Sequence, residues 1–275
     1  MPAPPHPAAS DPTWRVRATH EAMSFAEFER RVPCRPGWKR EYYGGEAHVR
    51  PNWMCVIFAL ELTPQPPVLV PGLRPVVEAD RDALRELFVD AFRAAPEYAN
   101  YPDDTYAANA DRYLDEFFAG KRGRWSPASR LIEADGRTVA AATVKLGSRR
   151  PYVDCVMVRP THFRRGLATL VTRGSLAALA AEEYGHVRSA AMLANTDSQA
   201  WHRAFGFVEV PCRMVAESRW RNAGCELERL RKIGEFSPDE EPRHAAEVER
   251  LLSEFERLEQ QREVEFGRSY PTLGD

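Results

Sequence analysis

Apolar and polar positions along this chain follow two periods, and the switches between them lay out most of its elements. Leu84, Leu87, Phe88, Ala91 and Phe92 recur at steps of three and four, which places them on one face of an α-helix. Asp80 stands just before that run, in the position of an N-cap. Ser24 and Glu27 have capping-box spacing for a short helix in SFAEFERR. TYAANADRYLDEFFAG, LATLVTRGSLAALAAEEYG and TDSQAWHRAFG read as further helices. MCVIFALEL, LRPVVEA, YVDCVMV, VRSAAMLA and FVEVPCRMVAES read as strands. WKREYY and EAHVR flank Gly44-Gly45, and RLIEA and RTVAAATVKL flank Asp135-Gly136. Both central pairs suit the positive φ angles of a hairpin turn. A long charged helix is expected over 237–267, with one apolar stripe of Val248, Leu251, Leu252, Phe255 and Leu258. Such a stripe packs on its own domain or, in a homodimer, on a second copy.

This order divides the chain into regions. Residues 1–13 are rich in Pro and Ala and are expected to be disordered. A small module of helix and β-hairpin covers 14–63, a stiff Pro-rich linker 64–71, and a main domain of alternating strands and helices 72–222. The fold class is α/β (α+β), with a small β extension in front and a long helix behind.

Composition narrows the function. The 275 residues allow a sizeable core, and a net charge of −2 supplies no field to recruit nucleic acid or an anionic membrane. No apolar run approaches the ~20 residues of a membrane span. Cys34, Cys55, Cys155, Cys212 and Cys225 are widely spaced and odd in number, which suits free thiols in a reducing, cytoplasmic setting. The histidines show no ligand spacing with Cys or acidic residues, so no metal is expected.

The densest candidate chemistry lies in VRPTHFRRGLA, residues 158–168. Strand, Pro, two arginines, Gly166, a small residue and then a helix make an anion site. The first turn of a helix has N–H groups without acceptors, and its dipole favours negative charge. Gly166 and Ala168 leave room for an oxygen to approach the first-turn N–H groups, that of Leu167 included, and Arg164 and Arg165 add charge. A phosphate or diphosphate suits it, although the Walker and dinucleotide patterns are absent.

VMVRPTHFRRGLATLV, followed by NTDSQAWHRAFGFVEV at 195–210, resembles the two central motifs of the GNAT superfamily of N-acetyltransferases. The resemblance covers roughly 72–220 and implies a mixed central sheet flanked by helices, with acetyl-CoA as cosubstrate. It places the diphosphate loop on Phe163 to Ala168, where Phe163 replaces the usual Arg or Gln. It gives Val156 and Val158 main-chain hydrogen bonds to the pantetheine arm. A backbone N–H near Val156 would meet the developing oxyanion.

Amide formation from a thioester needs a neutral amine, an oxyanion partner and a proton for the thiolate. His202 stands where many relatives have a proton-donating Tyr, so it is the candidate acid or else a packing residue beside coenzyme A. Asp154, or Glu133 on the hairpin, is the candidate base, acting directly or through a water, although an acidic residue on a strand is more often solvated or ion-paired. Asn195 contacts the cofactor or caps the next helix, as Asp197 or Ser198 would. The acceptor wall falls on EYANYPDDTY, where Tyr98, Tyr101, Asp103 and Asp104 would greet a cationic amine unless the two Asp merely cap a helix. Two functions stay open: an N-acetyltransferase acting on a primary amine, and a non-catalytic coenzyme A-binding regulatory protein.

Overall fold

The structure, a computed structural model, describes residues 20–93, 95–98, 103–147, 150–237 and 239–269. The Pro-rich start at 1–13 and Tyr101 lie outside these residues. Near the N-terminus β1 (His20–Ala22), β2 (Trp38–Tyr43) and β3 (Glu46–Pro51) form an antiparallel sheet in the order β1-β3-β2, with α1 (Phe25–Arg31) against it. The turn between β2 and β3 is made by Gly44 and Gly45, with φ of 62° and 81°. Alternate residues of β2 face α1: the Arg40 guanidinium lies over the Phe28 ring at 4.5 Å, and the Tyr42 ring is 5.5 Å from it.

The larger sheet holds β4 (Cys55–Glu61), β5 (Leu73–Pro75), β7 (Arg130–Ala134), β8 (Arg137–Leu146), β9 (Pro151–Val158), β10 (His186–Met192) and β11 (Val208–Glu209). Their order is β11-β4-β10-β9-β8-β7-β5, with β6 (Arg124–Trp125) beside β8. Its neighbours pair antiparallel except β9 and β10. That parallel pair needs a crossover, which α4 (Leu167–Ala181) provides. α2 (Arg81–Phe92) and α3 (Asp103–Phe118) cover one face, where Leu84, Leu87, Phe88 and Leu114 meet Leu131, Ala141 and Met157. On the other face, Leu176 and Leu179 of α4 pack on Val56, Phe58, Val153 and Val187. α5 (Thr196–Phe205) lies on this second face too, with His202 stacked on Phe58.

Several expectations are corrected. The 14–63 unit is split: β4 leaves it and enters the large sheet between β10 and β11. Its alternation explains why, because Val56 and Phe58 are buried under α4 and α5 and cannot face water. FVEVPCRMVAES is not one strand. Pro211 offers no N–H to continue a ladder, β11 stops at Glu209, and α6 (Arg213–Ile233) follows. The C-terminal helix, α7, runs Glu240–Ser269 and lays Leu251 and Leu258 into buried positions beside α6, with Phe255 stacked on Trp220 at 5.5 Å. The stripe therefore packs within its own chain. Asp80 does not cap α2 through its side chain; its carboxylate takes two bonds from Arg74, at 2.6 and 2.8 Å, and one from the Val77 N–H.

Cys34 and Cys225 form a disulfide, with Cα atoms 6.0 Å apart, so the expectation of five free thiols fails. The two lie 191 residues apart, so no local spacing announces the pair. Cys55, Cys155 and Cys212 are free. The bond joins the small N-terminal unit to α6, and a second close approach fixes its other side. Gly37 has φ +82°, and a Cβ there would sit 2.3 Å from the Ala194 backbone nitrogen.

Candidate active site

The pairing of β9 with β10 covers only Tyr152–Arg188 and Val153–Ser189; beyond it the two strands part. On its other side β9 stays paired with β8 as far as Val158. The Arg159 N–H donates to Val139 O at 2.9 Å, and antiparallel ladders alternate. Met157 and Cys155 therefore bond toward β8, while the N–H and C=O groups of Val156 and Val158 point into the gap. A register shift between Thr143 and Val144 leaves Asp154 as the extra residue of a bulge at the point where the gap opens. An extended amide-bearing chain could pair along this edge as an added strand.

The gap leads to the N-terminus of α4. Gly166 is the N-cap in a left-handed conformation, φ 74°, with no side-chain cap. The first intrahelical bond runs from the Leu170 N–H to Gly166 O at 3.0 Å. The N–H groups of Leu167, Ala168 and Thr169 thus lack helical acceptors. Arg164 and Arg165 are exposed beside them, and Arg164 has φ 64°. Phe163 is 47% exposed, so it does not plug the corner. The loop is an open anion cradle.

The side chains proposed for proton transfer sit differently. His202 is 3% exposed, on the α4 and α5 face. Its Nδ1 lies 2.7 Å from Ser198 O and its Nε2 2.9 Å from Ser189 Oγ. A carbonyl only accepts, so Nδ1 carries a proton. Burial pushes the ring pKa down. With both nitrogens engaged and the ring enclosed, this geometry favours the packing alternative over the role of acid. Asp154 is held by Lys145 Nζ at 2.5 Å and lies 3.6 Å from Arg122 Nε, its side chain 3% exposed. It is an ion-paired residue of the bulge. Glu133 is bonded to Arg74 at 2.6 Å. Asn195 does cap α5, accepting from the Ser198 N–H at 2.9 Å, and its amide donates to Glu97 at 2.7 Å. Both ends of Asn195 thus have protein partners. Asp103 and Asp104 open α3.

Glu97 opens the EYANYPDDTY stretch expected to form the acceptor wall, but the pattern did not single it out there. It belongs to a 3₁₀ turn, Pro96–Tyr98, between α2 and α3. Its Oε2 is buried without a hydrogen-bond partner. Burial pushes its carboxyl pKa up, against the bond from Asn195. Burial raises the thiol pKa values of Cys55 on β4 and Cys155 on β9, and the Glu97 charge adds to both, so the carboxylate lies near the ends of these strands. No spacing marked it, because it reaches the site from a short turn. Among the described residues no group of three His, Cys, Asp or Glu is arranged to hold a metal, and no helix is long and apolar enough to cross a membrane.

Residues 81–207 match the family model described as the acetyltransferase (GNAT) family. No curated protein is significantly similar in sequence. Among solved structures, the PaiA N-acetyltransferase of Thermoplasma acidophilum in complex with coenzyme A is 11% identical, with a TM-score of 0.43, over 52% of this chain and 93% of that one. A GCN5-related N-acetyltransferase from Sphaerobacter thermophilus is 19% identical, with a TM-score of 0.45, over 57% of this chain and 48% of that one. A putative GNAT-family acetyltransferase from Novosphingobium aromaticivorans is 19% identical, with a TM-score of 0.39, over 64% of each chain. The chain thus spans about half of the second structure and just under two thirds of the third. The family match covers 127 of the 275 residues, and over that segment the chain is similar to GNAT acetyltransferase domains.

Proposed function

We propose that the protein transfers an acetyl group from acetyl-CoA to a primary amine by direct attack. The observation that carries this reading is the unpaired β9 edge at Val156 and Val158 running into the uncapped start of α4. The pantetheine arm pairs with that edge as an extra strand. Its diphosphate meets the N–H groups of Leu167 and Ala168, with Arg164 and Arg165 neutralising its charge. A β9 N–H freed near the bulge faces the thioester oxygen and stabilises the oxyanion as it develops. The amine nitrogen bonds to the acyl carbon, the C–S bond breaks, and the thiolate takes a proton from the attacking nitrogen rather than from the enclosed His202.

Incubation with acetyl-CoA and chemically diverse amines, with free thiol as readout, tests this. Turnover no faster than thioester hydrolysis would count against it. A second reading, a coenzyme A-binding protein without turnover, draws support from Phe163 at a polar motif position and from the engaged His202. Calorimetry showing coenzyme A binding, with no transfer to any amine, would favour it.

A further inference from the structure

The face of the large sheet that carries α2 and α3 continues past β9 onto β10 and β4. Val56, Phe58, Val187 and Val153 point into the core under α4. By alternation Cys55, Ile57 and Ala59 of β4, Arg188 and Ala190 of β10, and Tyr152 of β9 point the opposite way. Ile57, Ala59, Arg188 and Ala190 are only half-buried, whereas the strands under α2 and α3 are covered more fully. A shallow groove with a small-residue floor therefore extends sideways from the gap between β9 and β10.

Its two ends carry opposite, uncompensated groups. At one end Glu97 is held at 2.7 Å by Asn195, whose backbone N–H donates to Met192 O where β10 pairs with Cys55, and its Oε2 is buried without a hydrogen-bond partner. At the other, Arg188 has a buried Nε without a hydrogen bond, and among the described residues no carboxylate lies within ion-pair distance of it. Asp154, the buried carboxylate nearby, is already shared by Lys145 and Arg122. Arg188 lies near the Tyr152 phenol, whose pKa burial pushes up against the smaller opposing pull of Arg122 and Arg188. A half-buried guanidinium without an anion is costly to hold, and a ligand anion would relieve it.

We infer that this groove is the acceptor site and selects an amine that also carries an anionic group, with the ammonium at Glu97 and the anion at Arg188. The inference rests on the acetyl-transfer reading. Cys55 pairs with Met192 and Ala59 with Arg188, four residues of strand, or about 13 Å. The long arginine side chain shortens the span, but the two charges still lie several bonds apart. The acceptor class is an ω-amino carboxylate rather than an α-amino acid. In turnover Glu97 Oε2 accepts one proton from the ammonium, and the neutral nitrogen bonds to the acyl carbon. The C–S bond breaks with its electron pair on sulfur, the second nitrogen proton goes to the thiolate, and Glu97 returns its proton to solvent.

Calorimetric titration of glycine, aminobutyrate, aminohexanoate and aminooctanoate, beside alkylamines of equal length, decides this. It is run on the wild type, Glu97→Gln, Arg188→Gln and Arg188→Lys, with and without coenzyme A. The longer amino carboxylates should bind about tenfold tighter than their alkylamines, the scale of one charge-assisted pair. Arg188→Gln should erase that preference and Arg188→Lys should keep part of it. Glu97→Gln should weaken every amine, and coenzyme A should bind all four proteins alike. If hexylamine and aminohexanoate bind equally to the wild type, or the preference survives Arg188→Gln, the inference fails. Failure to bind coenzyme A would instead overturn the donor assignment, while the amine titrations still judge the groove.

Discussion

Two residues show how the site divides between backbone and side chains. Gly166 holds φ +74°, with open space where a Cβ would stand. Its conformation therefore matters more than its size, and an L-residue there costs about 1–2 kcal/mol. Gly166→Glu adds a carboxylate where the diphosphate belongs and should abolish coenzyme A binding in calorimetry; retained affinity would mean that the anion site is elsewhere. His202 is a matter of stability. His202→Phe leaves Ser198 O and Ser189 Oγ without their ring partners and should cost about 1–3 kcal/mol in denaturant melts, with kcat of the folded fraction little changed. Its pKa is lowered in the folded protein, so the unfolded chain binds the proton more readily. Its contribution is fully present above the unfolded value of 6.5 and is lost as pH falls below it. The wild type should therefore lose stability on acidification through that window more steeply than His202→Phe. The anion loop was legible because Gly166 and two arginines stand together in the sequence. Glu97 was not, since a single carboxylate in a turn becomes functional only through what folds around it.

At the scale of elements, hairpins and amphipathic helices announced themselves through local chemistry: turn residues at Gly44-Gly45 and Asp135-Gly136, and a stripe of three-four spacing on α2. What escaped was decided by distant partners. β4 looked like the end of a separate module because nothing in its own residues reveals that its neighbours are β10 and β11. The Cys34–Cys225 bond escaped for the same reason. Labelling without reductant should find three reactive thiols after denaturation, and five after reduction; five without reductant would refute the bond. Cys225→Ser should lower stability by about 2–4 kcal/mol, as expected when a long loop is released.

Across the whole molecule, the small N-terminal unit is tied to α6 by the disulfide and by Arg229, which donates to Glu29 O at 2.8 Å, and it meets the β10–α5 turn where Gly37 approaches Ala194. Gly37→Val cannot be accommodated without moving backbone, because the added Cβ falls 2.3 Å from a main-chain nitrogen. It should raise hydrogen exchange in β1 to β3 and at the β10–α5 turn together; a change confined to one of them would argue against their coupling. Deletion through Leu62 goes further, removing β4 from between β10 and β11. That protein should be insoluble when expressed.

The position of β4 also bears on synthesis. Glu61 pairs with His186 and Cys55 with Met192, so a ribosome releases this apolar strand long before its partners exist. The nascent chain must carry Val56 and Phe58 uncovered until β10 emerges, and this waiting interval, rather than the finished protein, is where aggregation would begin and where a chaperone would bind.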